Sequence, residues 1–184
     1  VMSEGCSIFV LESLEHAIAR NAPIYAEVLG SASLSDNYDV AAPDPSAEGQ
    51  LRVMRFALSD AGIGPDEIDY INAHGPGTPV GDPVETLGVK RLLGERAYRV
   101  PISSTKSMIG HSLGAAGAIE AAACVMTLRD QMIHPTINLD TPDPACDLDY
   151  VPNQARRATV ETVISNSFGL GGQNASLILR KCDL

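Results

Sequence analysis

Basic residues are scarce in this chain of 184 residues. Thirteen Lys and Arg stand against twenty-three Asp and Glu, a formal net charge of −10. That shortage argues against broad nucleic-acid binding, which neutralises phosphates with basic side chains, and against a basic membrane-binding surface. Long apolar runs are missing too. The longest low-charge stretch, residues 112–126, contains Glu120 and is too short to span a bilayer. No charged segment followed by an apolar stretch opens the chain, so no signal peptide is expected. The first residue is Val rather than Met, and a native start further upstream is expected. Cysteine is sparse. Cys6, Cys124, Cys146 and Cys182 form no C-x-x-C pair and no disulfide ladder, so free thiols in a reducing cytoplasm are expected. Repeats with periods of roughly 20–50 residues are absent.

What is present is enough to fold. Hydrophobic residues make up 45% and charged residues 20%, a balance that supports one compact domain or a large piece of a bigger one. Strand and helix signals alternate. Residues 6–12 are short, apolar and β-branched and are expected to form a strand, followed by a short helix over 14–19. Residues 25–33 read as a strand and 35–45 as a Ser/Asp/Ala/Pro loop. A helix is expected over 46–61, ended by Gly62 and Gly64-Pro65, and a strand over 68–73. Asp82-Pro83 opens a helix that stops at Gly94, with Asp82 as its cap. Residues 100–103 form a short strand. Residues 112–129 are small or apolar on nearly every face, which predicts a buried central helix clamped between sheets. Residues 162–168 and 175–180 form two antiparallel strands joined by Gly169-Leu170-Gly171-Gly172. The order of elements predicts an α/β fold with a mixed sheet.

Reactive residues gather where strands end, which is where α/β proteins tend to hold ligands. Three segments stand out: residues 72–79 with His74, residues 103–111 with Lys106 and His111, and residues 166–174 with the glycine-rich turn. Other chemistries fit poorly. The glycines around Gly75 are one residue off the dinucleotide fingerprint, and Pro76 and Pro79 delete amide donors a phosphate would need. Thr105-Lys106-Ser107 lacks the upstream glycines of a P-loop. No G-x-S-x-G elbow offers a hydrolase serine. His74 and His111 are too distant in sequence to form a local metal pair, although with Asp82 or Glu85 they could meet around zinc. Cys124 reads as a packed structural thiol, and His16 and His134 as surface or loop residues.

The three segments resemble those of the elongating β-ketoacyl-acyl carrier protein synthases. That family carries N-A-H-G-T-x-T-x-x-G-D, S-x-K-x-x-x-G-H-x-x-G-A-A-G and N-S-F-G-F-G-G-x-N. Here they stand at residues 72–82, 104–117 and 166–174, in the same order. The opening V-M-S-E-G and F-V-L-E resemble the end of the family's first half. The resemblance implies the thiolase-like fold, in which two α/β halves stack as αβαβα layers. This chain would be the second half, residues 23–184, with residues 1–22 as the tail of the first. It implies a homodimer and a decarboxylative Claisen condensation of malonyl-acyl carrier protein with an acyl thioester. The nucleophilic Cys would lie in the other half, so this chain alone should not form an acyl-enzyme. No cofactor is implied, because the substrate rides on the phosphopantetheine of an acyl carrier protein.

By the same resemblance His74 and His111, as neutral donors, would stabilise the enolate left by decarboxylation. Lys106 would help keep them neutral, and Glu120 would pair with Lys106. The N–H of Leu170 would help hold an acyl oxyanion, and Phe168 would support the site. Thr78 would contact the phosphopantetheine arm. Two departures stand out: Pro76 replaces the family's first Thr, and Leu170 replaces the second Phe of F-G-F-G-G. Residues 39–43 also lack the usual Thr or Ser before Pro43. Two rivals remain. One is a chain-length-factor-like partner subunit that has lost the nucleophile. The other is a C–C-cleaving thiolase-like enzyme, which needs a second Cys as base; Cys182 follows the last strand rather than the glycine turn.

Overall fold

The last two strands organise the sheet, and their sequence shows how. Thr162–Phe168 (β6) and Gln173–Arg180 (β7) alternate side chains between two faces. Ile164 and Ile178 go to one core, while Val163 and Leu179 go to the other. In the computed structural model, which describes residues 1–182, these strands pair antiparallel from Thr162↔Arg180 to Phe168↔Asn174. Glu27–Ser35 (β1) adds antiparallel to β7. Tyr70–Asn72 (β2) lies parallel to β6, and Ile102–Ser103 (β3) parallel to β2. The order is β1-β7-β6-β2-β3, a mixed five-stranded sheet as expected. Met132–Ile133 (β4) and Arg156–Arg157 (β5) form a separate two-stranded ladder.

Helices cover both faces. Glu48–Ala61 (α2) and Gly81–Leu93 (α3) bury Leu51, Met54, Leu58, Val89 and Leu92 against Ile71, Ile102, Ile164 and Ile178. On the opposite face Ala116–Asp130 (α5) packs Cys124 and Leu128 with Tyr70, Ile133 and Val163. Leu14–Ala19 (α1) and the single turn Lys106–Ile109 (α4) complete the helices. Gly62, in the left-handed region at φ 69°, ends α2 as the sequence implied. No helix among the described residues is long and apolar enough to cross a membrane.

Three expectations need correction. Residues 6–12 form no strand; Met2 makes a bridge to His111, but Ile8, Val10 and Leu11 stay exposed. An apolar run becomes a strand only where an open sheet edge supplies hydrogen-bond partners, and none of the described strands lies beside this run. Residues 113–115 form a 3₁₀ turn before α5 begins. The helix itself buries Ala116, Glu120, Cys124, Thr127 and Leu128, but leaves Gly117 and Met126 exposed. It is clamped on one side, because one sheet lies against it in this chain. Asp82 does not cap α3: it sits inside the helix, and its Oδ1 accepts the N–H groups of Gly77 and Thr78, both at 3.2 Å.

The contact between β1 and α2 sets a strict size limit. A Cβ on Gly30 would fall 2.4 Å from the Ala61 nitrogen and 2.9 Å from the Ala57 carbonyl oxygen. Both are backbone atoms, so the helix itself would have to move. Gly30→Ala is expected to cost about 1–3 kcal/mol of stability, read from the urea midpoint. An unchanged midpoint would show that α2 is free to slide on the sheet.

Candidate active site

Because β2, β3 and β6 run parallel, their C-terminal ends emerge on one side. The chain leaves Asn72 towards His74, Ser103 towards Lys106, and Phe168 into the glycine turn. The imidazoles of His74 and His111 meet with centroids 5.4 Å apart at 78°. Phe168 lies against His74, 6.1 Å between centroids. Two residues separated by thirty-six others thus share one site, with the ring of a third strand beside them.

The His74 loop is held from below. Glu85, on α3, is buried and accepts the N–H groups of His74 and Gly75 at 2.9 and 2.8 Å. Ser104 reaches across from the next loop and donates to the Gly75 carbonyl at 2.9 Å. A Cβ on Gly75 would sit 2.9 Å from the Ser104 Cβ, and Gly75 has φ +39°. Glycine is required there on both counts. Glu85 entered the sequence reading only as a possible zinc ligand; its true role had no signal beyond a carboxylate on the apolar side of a helix.

His111 is held differently. Gly110, with φ +76°, ends α4 and turns the chain. The His111 N–H donates to the Val1 carbonyl at 2.8 Å, and its carbonyl accepts the Ser3 N–H at 3.0 Å. Leu113 takes φ +52°, a costly conformation for a branched residue, and its N–H donates to His111 Nδ1 at 3.1 Å. An accepting Nδ1 places the neutral ring's proton on Nε2. His74 Nδ1 is buried and bonded to no described residue, so the protein does not fix that tautomer.

Behind the rings Lys106 pairs with Glu120 of α5, and both side chains are almost wholly inaccessible. Burial pushes the Glu120 carboxyl up, against the pull of Lys106. Burial, then the Lys106 charge, then His111 push the His74 ring down to about 3. His111 is lowered by burial first and by Lys106 next. Both imidazoles are therefore neutral near pH 7. The arrangement can offer ring N–H donors to a developing negative charge without first losing a proton.

The remaining expected residues divide. Leu170 is exposed, and its N–H donates to no described residue. The turn around it is pinned by Gly171 N–H to the Val40 carbonyl at 2.7 Å and by Asp36 N–H to the Gly172 carbonyl at 3.0 Å. Thr78 is exposed, and its hydroxyl accepts the Gly81 N–H at 3.0 Å. For zinc, the described residues place no third His, Cys, Asp or Glu with the two rings. The oxygens of Glu85 and Asp82 are instead turned to backbone N–H groups. Cys124 is fully buried in α5, its thiol pushed up to about 12 by burial. His134 is a loop residue but not a surface one: it is bonded to Tyr70 and Ser103.

Residues 25–140 match the family described as "Beta-ketoacyl synthase, C-terminal domain". This chain belongs to the β-ketoacyl synthase family. It is 52% identical over 181 residues to 3-oxoacyl-(acyl-carrier-protein) synthase 2 of Coxiella burnetii. It is 50% identical to the protein of the same name from Synechocystis. Each alignment takes in 98% of this chain and 44% of the relative, so the chain spans less than half the length of these synthases. Among solved structures, the ishigamide ketosynthase/chain length factor superposes with a TM-score of 0.94 at 44% identity, covering 99% of this chain and 44% of that one. The AntDE:AntF structure, a type II PKS acyl-carrier protein in complex with its ketosynthase, gives 0.92 at 43%, covering 94% of this chain and 42% of that one. The thiolase-like α/β architecture expected of a synthase's second half is thus the one observed.

Glu85 generates a prediction on stability. Burial holds its carboxyl up to about 7, against the two N–H groups that favour the charged form. A carboxyl raised in the folded state binds its proton more tightly there than in the unfolded chain. Its contribution is therefore complete below an ordinary Glu value and lost as pH rises through about 7. Glu85→Ala is expected to lower stability and to flatten this slope, measured by urea titrations at successive pH values. An identical slope in the variant would place the titration elsewhere.

Proposed function

We propose that this chain supplies the decarboxylating half of a 3-oxoacyl-acyl carrier protein synthase, with malonyl-acyl carrier protein as its extender substrate. The observation that carries this reading is the pair of uncharged imidazoles 5.4 Å apart, with the buried Lys106 ammonium behind them. Breaking the bond between the malonyl α-carbon and its carboxylate releases carbon dioxide. The electron pair passes into the thioester carbonyl, whose oxygen becomes an enolate oxygen. Ring N–H donors aimed at that oxygen lower the barrier because they meet the charge where it develops. His111 suits the task, since its Nδ1 is occupied by the Leu113 N–H and Nε2 carries the proton. His74 is the second donor.

The enolate carbon then attacks an acyl thioester. That bond forms as the acyl carbon–sulfur bond breaks, and the thiolate leaves. The acyl group would sit on a cysteine outside this chain, with the Leu170 N–H turned to the acyl oxygen. The exposed Leu170 N–H and the pinned glycine turn support that role. Thr78 would meet the phosphopantetheine arm, although its hydroxyl already holds Gly81. The substrate chemistry requires no bound cofactor. A similar ketosynthase in complex with its acyl-carrier protein supports a carrier as partner. The expected homodimer belongs to this reading. So does a cytoplasmic location, which the four free cysteines support. A partner subunit that only shapes chain length would have no use for two neutral histidines beside a buried Lys–Glu pair; their retention favours the enzyme.

His111→Ala in the full-length polypeptide is expected to abolish carbon dioxide release from a malonyl-thioester, with the fold preserved by circular dichroism. Release at the parent rate would remove His111 from the reaction. In the parent, any change of rate as pH falls from about 8 to 6 should persist in a His74→Gln variant, because the His74 ring, held down to about 3, gains no proton there.

A further inference from the structure

Of the four histidines, His134 has no part in the reading above. It follows β4 and is partly buried. Its Nε2 lies 2.9 Å from the Tyr70 hydroxyl, and that hydroxyl lies 2.8 Å from Ser103 Oγ. Tyr70 is wholly buried and opens β2; Ser103 closes β3, three residues before Lys106. The stretch that begins at His134 meets the Lys106 segment twice more. Thr136 Oγ1 accepts the Ser104 N–H at 3.3 Å, and Ser107 Oγ accepts the Ile137 N–H at 3.0 Å. Ser107 in turn donates to the Ser104 carbonyl at 3.0 Å. The links fall at residues 103, 104 and 107, so they bracket Lys106 from both sides.

We infer that His134 is a positioning residue for Lys106, acting through Tyr70 and Ser103 to hold the segment 103–107 on the end of the sheet. The inference rests on the role given to Lys106 above. A buried tyrosine hydroxyl must spend its proton on an acceptor. A neutral imidazole supplies one at Nε2, which leaves the Tyr70 oxygen to receive the Ser103 hydroxyl. Nδ1–H then faces Ser103 Oγ directly at 3.3 Å and the Pro135 carbonyl at 3.4 Å. Protonation of the ring turns the acceptor into a donor, reverses the Tyr70 hydroxyl and places a charge in a largely apolar setting. Tyr70 faces the ring from β2. From α5, Asp130 stands on the rim of the hollow that His134 lines, and Cys124 and Glu120 lie near Tyr70. Glu120 is already paired with Lys106, and Asp130 with Arg129. The charges on β5 are Arg156, paired with Asp149, and Arg157. Among the described residues no carboxylate is in contact to stabilise a cationic His134, and burial holds the ring below its ordinary range.

The test uses the full-length polypeptide with Tyr70→Phe and His134→Gln. Two readouts are taken between about pH 5 and 8: amide exchange by mass spectrometry, and kcat and KM for decarboxylation of a malonyl-thioester. Tyr70→Phe is expected to speed exchange across residues 103–111 about tenfold while β6 and β7 keep the parent rate. Its kcat should fall about tenfold with KM within about twofold of the parent. With each rate divided by the intrinsic amide rate at that pH, any acid-end loss of protection across 103–111 seen in the parent should be absent from His134→Gln. Parent-like exchange across 103–111 in Tyr70→Phe at every pH would overturn the inference. So would faster exchange spread evenly over the chain, which marks a general loss of stability. If the parent releases no carbon dioxide, the proposed function fails, and the exchange data still decide whether His134 holds this segment.

Discussion

A lysine and a glutamate buried together hold the two halves of the site in one place. Lys106 opens α4 just after β3 and Glu120 lies on α5, so their contact ties the sheet's end to the helix packed across it. Neither charge is tolerable there alone. Removing one partner of such a pair costs about 3–5 kcal/mol, because the other is left uncompensated. The pair also sets the electrostatics in front of it: the ammonium adds to burial in disfavouring a second positive charge on either imidazole.

Around that pair the backbone is shaped for function more than for ease. Leu113 adopts a left-handed conformation that a branched side chain resists, and the gain is an N–H pointed at His111 Nδ1. Glu85 is buried with its carboxyl raised, and the gain is a fixed His74 loop. Strain and burial of this kind persist only where surrounding structure insists on them. Here the insistence comes from β2, β3 and β6, which deliver their loops to a common side.

Apolar surface also stays exposed among the described residues. Ile8, Val10 and Leu11 are apolar and exposed, and so are Gly117 and Met126 of the small, apolar α5. Both features were read from sequence as a strand and a doubly clamped helix. Both readings failed in the same way: local pattern identifies a segment that needs a partner, but cannot say whether the partner is present.

Sequence by itself determined the alternation of β6 and β7, the glycine stops, the mixed sheet and the residue types of the site. These depend on local periodicity, on φ values and on short motifs, all of which neighbours in sequence specify. It also implied that Glu120, as a buried carboxylate, would need a partner; that the partner would be Lys106 came from the family resemblance alone. Only the tertiary structure decided that His74 and His111 meet at 5.4 Å, that Glu85 holds backbone amides instead of a metal, and that His134 lies inside, on Tyr70. Those facts depend on the parallel register of three strands and on helices crossing them. That register is fixed by packing between residues scores of positions apart, where no local signal reaches.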